Sequence, residues 1–250
     1  MRRVSSRAAP VRQGKGGRGE NAKWEEPDGG GWAVRRSFEE GLAHLREDLL
    51  RLGHMACEAV ALSVDALKRQ DVDLAQKVIA GDESIDRLHL EIQNRCMELI
   101  ATQQPMAGDL RVIGAAMVIG IDLERVADHA EGVASAAVRM ARQPLLKPLI
   151  DVPRMAEVVQ GMLKKALDAF VERDAQKAAQ VAQDDDVVDG LRSQVFRELL
   201  TYMMEDPRNI SRALELILVT QHIERMGDHA TNIAERVIYM VTGDLRDLNV

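Results

Sequence analysis

From Phe38 onward the chain falls into long stretches in which apolar residues return every three or four positions. Phe38, Leu42, Leu45, Leu49 and Leu52 step by 4, 3, 4 and 3, the spacing of one buried stripe on a helix. This predicts a first helix over 38–69. Gln70-Asp71-Val72-Asp73 interrupts the pattern. A second helix follows over 73–102, with Val78, Ile85, Leu88, Ile92 and Leu99 facing inward. Gln104-Pro105 closes it, because proline disfavours helical backbone in the residue before it. A third helix is predicted over 107–142.

The plan then repeats. Residues 143–153 hold three prolines in eleven positions and read as a linker. Helices are predicted over 153–172, 175–205 and 208–242, with Gly243 placed to end the last one. Arg173-Asp174 stands where Gln70-Asp71 stood, and Asp206-Pro207 where Gln104-Pro105 stood. Such short turns make consecutive helices antiparallel neighbours. The expected fold class is all-α: two tandem three-helix bundles, 38–142 and 153–243, related by internal duplication. Residues 1–37 are rich in Gly, Arg and Ser and lack periodicity, so a disordered N-terminal extension is expected there. A second reading starts the natural chain near Val34.

The duplication is visible letter by letter. Residues 122–134 read D-L-E-R-V-A-D-H-A-E-G-V-A and residues 222–234 read H-I-E-R-M-G-D-H-A-T-N-I-A. Glu124, Arg125, Asp128, His129 and Ala130 recur 100 positions later as Glu224, Arg225, Asp228, His229 and Ala230. A period this long marks a duplicated bundle rather than a short-repeat solenoid.

Composition narrows the class. Hydrophobic residues make up 46% of the chain but aromatics only 3%, which suits aliphatic helix-on-helix packing. Neither a run of about 20 apolar residues nor an apolar signal region is present. Cys57 and Cys96 lack metal-ligand spacing and read as reduced buried thiols. A cytoplasmic protein is expected. The net charge of −7 conceals an asymmetry: residues 1–37 carry nine basic and four acidic residues, the remainder 24 and 36. An acidic body argues against a nucleic-acid partner.

The acidic residues carry the candidate chemistry. Glu124 and Asp128 lie four apart, as do Glu224 and Asp228. Residues at that spacing share a helix face, roughly 5–6 Å apart at Cβ, and like charges there repel unless a cation intervenes. The preceding helix supplies a second pair in each half, Asp82 with Asp86 and Asp185 with Asp189. Pro105 lies 19 residues from both Asp86 and Glu124, and Pro207 lies 18 from Asp189 and 17 from Glu224. Antiparallel packing across those breaks brings the two pairs to one height. Four carboxylates per half suit hard or borderline cations: iron, manganese, zinc, magnesium or calcium. The competing reading is salt bridging to Arg125, Arg225 or other helix arginines. His129 and His229 follow the acids by one position and are expected to pack or support rather than ligate. His89, three after Asp86, could join the first cluster.

These signatures resemble the PhoU family, phosphate-transport accessory and phosphate-regulon regulatory proteins. The resemblance rests on E-R-x-x-D-H-A at 124–130 and 224–230, Q-P-M-A-G-D-L-R at 104–111 and L-T-Y-M-M-E-D-P at 200–207. It covers about residues 38–245. It implies two three-helix bundles, often paired into a homodimer. It implies multinuclear metal clusters, iron or zinc foremost, on Asp82, Asp86, Glu124 and Asp128 and on Asp185, Asp189, Glu224 and Asp228. It also implies a non-enzymatic adaptor between a phosphate ABC transporter and a membrane sensor histidine kinase, repressing the phosphate-starvation response. The leader is no part of the family pattern. Glu131-Gly132 in the first half against Thr231-Asn232 in the second suggests that the two clusters differ.

Two other functions fit parts of the sequence. A metal store or sensor would share the clusters without the partners. A carboxylate-bridged di-iron enzyme would need Glu-x-x-His on two helices, and the nearest match is Asp86-x-x-His89. No catalytic residue is assigned.

Overall fold

The computed structural model describes residues 30–245 and 247–248. Seven α-helices follow one another: α1 (Gly30–Arg69), α2 (Val72–Gln103), α3 (Ala107–Met140), α4 (Asp151–Glu172), α5 (Ala175–Ala179), α6 (Val181–Glu205) and α7 (Ile210–Thr242). The described residues contain no strand. α1, α2 and α3 form one antiparallel bundle, and α4, α6 and α7 form a second, with α5 lying against α4 and α7. The bundles pack side by side through α3 against α7 and α1 against α4. Their buried residues merge into one aliphatic core that includes Leu49, Ile92, Ile119, Leu123, Leu163, Val195 and Ile223.

The turns explain the two bundles. Gln70 and Arg173 both end their helices in the left-handed region, at φ 54° each. Asp71 and Asp174 then cap the next helices. The Leu74 N–H donates to Asp71 Oδ1 at 2.9 Å, and the Gln176 and Lys177 N–H groups donate to Asp174 Oδ1 at 2.8 and 3.0 Å. A capping carboxylate satisfies helix N–H groups that otherwise lack partners. The Gln70 side chain adds a tie that Arg173 lacks: its Nε2 donates to the Met140 and Gln143 carbonyls at 3.2 and 2.7 Å. This pins the α1–α2 turn to the start of the linker. Gly243 ends α7 at φ 81°.

Several boundaries differ from expectation; α3 ends at Met140 and α4 starts at Asp151, so Pro153 of the expected linker lies in the first turn of α4. α1 begins at Gly30, eight residues before the predicted start, because residues 32–37 contain neither proline nor glycine. The rest of the expected disordered leader, 1–29, lies outside the described residues. The helix predicted over 175–205 is divided at Gln180, whose N–H reaches the Lys177 carbonyl three residues back rather than four. That tightened turn separates α5 from α6 without proline or glycine. The last helix starts later than 208, since Pro207–Asn209 form a 3₁₀ turn capped by Asp206.

The thiols stand largely as expected. Both cysteines are free; Cys96 is buried and Cys57 half-buried. Burial pushes both thiols up to about 11. No described helix is long and apolar enough to cross a membrane.

Candidate metal centres at the two acidic seams

Each acidic seam runs along the edge of the core. Ile85 and Leu88 on α2 are buried, and so are Leu123, Val126 and Ala127 on α3. That packing fixes the phase of both helices. Asp82, Glu124 and Asp128 are left half-buried at the rim and Asp86 exposed. In the second half Val188 on α6 and Ile223, Met226 and Gly227 on α7 set the same phase. Asp185, Glu224 and Asp228 are half-buried, with Asp189 exposed.

In the first half the expected convergence occurs. Carboxylate oxygens of Asp82, Asp86 and Asp128 lie within 4.8 Å of one another. Burial pushes the Asp82 carboxyl from about 3.8 up to about 6, and Asp86, Asp128, Glu131 and Glu124 push it further in the same direction. Burial and Asp128 raise Glu124 as well, while Arg125 opposes them. Glu131, one turn beyond Asp128 on the same helix face, therefore belongs to the cluster's field. Arg125 is the neighbouring cation, with Nη1 3.0 Å from Asp128 Oδ2 and Nε 3.5 Å from Glu124 Oε2. His89 stays out of the cluster, its Nε2 lying 2.9 Å from Gln93 Nε2.

The second half holds its four acids near one another but in a different balance. Asp185 is pushed up to about 6 by burial, then by Asp228, Asp189, Asp186 and Glu224. Asp228 and Glu224 are raised too, burial being the main cause for each. Gly227 lets Asp185 approach α7 closely: a Cβ there would sit 3.0 Å from Asp185 Oδ1. Arg192 reaches Glu224, Nη1 to Oε1, at 3.6 Å, and Lys165 pairs with Asp184. Among the described residues, no three second-half acids meet as closely as Asp82, Asp86 and Asp128.

The first-half donor set fits a metal ion on its own chemistry. Three carboxylates from two helices face one point, oxygen ligands suit hard cations, and a cation there would relieve the repulsion that raises Asp82. Arg125 supplies part of that relief already. The second half fits less well, because among the described residues no three of its acids converge as Asp82, Asp86 and Asp128 do, and Arg192 lies beside Glu224.

The histidines do different work. The Nδ1 atoms of His129 and His222 lie 3.3 Å apart, and His229 Nδ1 lies 3.0 Å from Asp122 Oδ1. Both contacts cross from α3 to α7. Gly132 gives His222 its room, since a Cβ at that position would stand 2.5 Å from the ring. Burial, then His229 and His222, lower His129 to about 4. His129 is thus a neutral packing residue at the junction of the bundles. Helical periodicity contains no sign of this pairing between halves.

Comparison with known proteins agrees with the duplicated plan. The PhoU domain matches residues 49–137 and again 152–237. The chain belongs to the PhoU family. It is 43% identical over 210 residues to the phosphate-specific transport system accessory protein PhoU homolog of Caulobacter vibrioides, covering 84% of this chain and 91% of that one. To the Aquifex aeolicus homolog it is 42% identical, covering 83% and 94%. Among solved structures, PhoU from Pseudomonas aeruginosa superposes with a TM-score of 0.79 at 41% identity, covering 83% of this chain and all of that one. The phosphate transport system regulatory protein PhoU of Streptococcus pneumoniae gives 0.78 at 30% identity, covering 84% and 99%. Each PhoU domain of the chain contains one complete acidic seam, on α2–α3 and on α6–α7.

Proposed function

We propose that this chain is a cytoplasmic, non-enzymatic regulator of phosphate uptake. It associates with a phosphate ABC transporter and a sensor histidine kinase and represses the phosphate regulon when phosphate is plentiful. Its relatives' names, which tie them to phosphate-specific transport, support the transport side of this reading. The kinase link, the repression and a homodimeric state extend the family resemblance. The deciding experiment is a phosphate-regulon reporter in a deletion strain grown in excess phosphate. Derepression is expected, and a silent reporter would refute the repressor role.

The acidic seams are proposed as metal centres. The observation that carries this is the convergence of Asp82, Asp86 and Asp128 across α2 and α3. We assign Glu124 to that set as a fourth ligand, and Asp185, Asp189, Glu224 and Asp228 to a second, looser one. Iron or zinc is the proposed ion; bound there, it neutralises the clustered charge and cross-links the two helices. The competing reading, structural ion pairing, is favoured by Arg125, which meets Asp128 and Glu124 in the first half, and by Arg192, which meets Glu224 in the second. Elemental analysis separates the two. Replacing Glu124 and Asp128 with alanine removes most bound metal if the first seam is a centre, and changes nothing if it is a salt-bridge site.

A further inference from the structure

The second bundle carries a surface that the first lacks. Phe196, Leu200 and Met204 on α6, and Ile210, Leu214 and Leu218 on α7, are all between 40 and 85% exposed. Within each helix they repeat every four residues, so they form two facing apolar rows along the α6–α7 hairpin. At the corresponding places the first bundle has Gln93, Met97 and Ala101, and Leu110, Gly114 and Val118. Half the large apolar side chains are missing there. An apolar patch of this length on an outer face marks an interaction surface.

The rows run into a cavity of about 300 Å³ lined by Arg192, Phe196, Arg197, Ile217 and Gln221. The first bundle is lined differently at that place. His89 stands in the place of Arg192, pairs with Gln93, and covers Gly120, where a Cβ would be 3.6 Å from its ring. In the second bundle Arg192 turns toward Glu224, and Arg197 makes no ion pair among the described residues. The cavity therefore combines an apolar floor with an uncompensated guanidinium on a body whose overall charge is negative.

We propose that the α6–α7 face docks an amphipathic helix of a partner protein. The partner's leucine-like residues lie between the two rows, and an acidic residue at one end enters the cavity beside Arg197. A helix in an apolar groove reads its anchors at positions three and four apart, which the rows match. The cationic end sets direction, because Arg197 attracts the acidic end of the helix while Arg208 at the far end is already paired with Asp206. This rests on the adaptor reading for the existence of a partner and is independent of the metal centres.

The probe is a fluorescent 14-residue helical peptide with leucines at three- and four-residue spacing and three glutamates at one end. A control peptide carries lysines in place of the glutamates. With the full chain, the acidic peptide is expected to bind saturably and the lysine peptide weakly. Leu214→Asp and Arg197→Glu should each weaken the acidic peptide by about tenfold or more, and Arg197→Glu should improve the lysine peptide. All the altered residues are exposed, so thermal melts should be unchanged. Absence of saturable binding, equal binding of both peptides, or indifference to both substitutions overturns the proposal. Sedimentation of wild type and Leu214→Asp tests the other occupant: a dimer lost on substitution makes the face a self-interface and overturns a partner helix. A silent deletion reporter alongside peptide binding refutes the adaptor reading and supports the groove. A derepressing deletion that Leu214→Asp complements in full overturns the groove alone.

Discussion

Replacing Asp82 with asparagine tests the electrostatics of the first seam. Asp82 holds its proton more tightly in the folded protein than in the unfolded chain, its carboxyl moving from about 3.8 to about 6. The stability contributed by the bound proton is fully present below about 3.8. It is lost as pH rises through 6. At neutral pH the folded protein therefore carries an unfavourable charge that asparagine removes. A rise of about two pH units at ~1.4 kcal/mol each sets a ceiling near 3 kcal/mol. Asp82 is partly exposed, so solvent screening brings the expected gain to about 1 kcal/mol. Urea unfolding in the presence of a chelator measures it. Asp82→Asn should be more stable than wild type at pH 7.5 and indistinguishable from it at pH 3.5. With iron or zinc in place of chelator the order should reverse, because wild type alone keeps its full ligand set and gains the larger metal-dependent rise. A variant less stable than wild type at pH 7.5 in chelator would refute the reasoning, as would a gain that ignores pH.

Arg173→Gly should raise stability by about 1 kcal/mol in thermal melts, since glycine adopts the left-handed backbone of that turn without strain. Gln70→Gly relieves the same strain but loses two side-chain hydrogen bonds to the linker, at about 1 kcal/mol each, so it should be neutral to destabilising. Gly132→Ala forces the His222 ring away from His129 and should cost about 1–3 kcal/mol by urea unfolding; a neutral result would show that the α3–α7 junction adjusts freely.

Most of the architecture was legible because helical periodicity and turn chemistry are local. Gln70-Asp71 and Arg173-Asp174 end and restart helices with their own side chains and backbone. The meeting of Asp86 with Asp128 was legible because Pro105 sets α2 and α3 antiparallel at a countable distance. Other features depend on contacts that no window of sequence holds. The division at Gln180 follows from a tightened turn within an unbroken helix-forming stretch. Arg192 comes to Glu224 from another helix. Phe196, Leu200 and Leu214 repeat at the same spacing as core residues, and only the packed bundle distinguishes an outward stripe from an inward one. The pairing of His129 with His222 joins residues 93 positions apart across two bundles.

Those histidine contacts have the form of a two-fold interface closed within one chain. His129 meets position 222, and His229 meets position 122. In a dimer of identical subunits such a contact is isologous, so any change on one side appears on the other as well. Here the halves are covalently joined and each side is free to differ. One contact is imidazole against imidazole, and its counterpart is imidazole against the buried Asp122 carboxylate. Substituting Asp122 or His222 therefore alters one contact directly and not its counterpart, and the two are linked through the His129 and His229 rings, 5.6 Å apart. The same freedom lets α3 and α7, which carry these contacts on one face and the acidic seams on another, hold two seams whose carboxylates converge to different degrees.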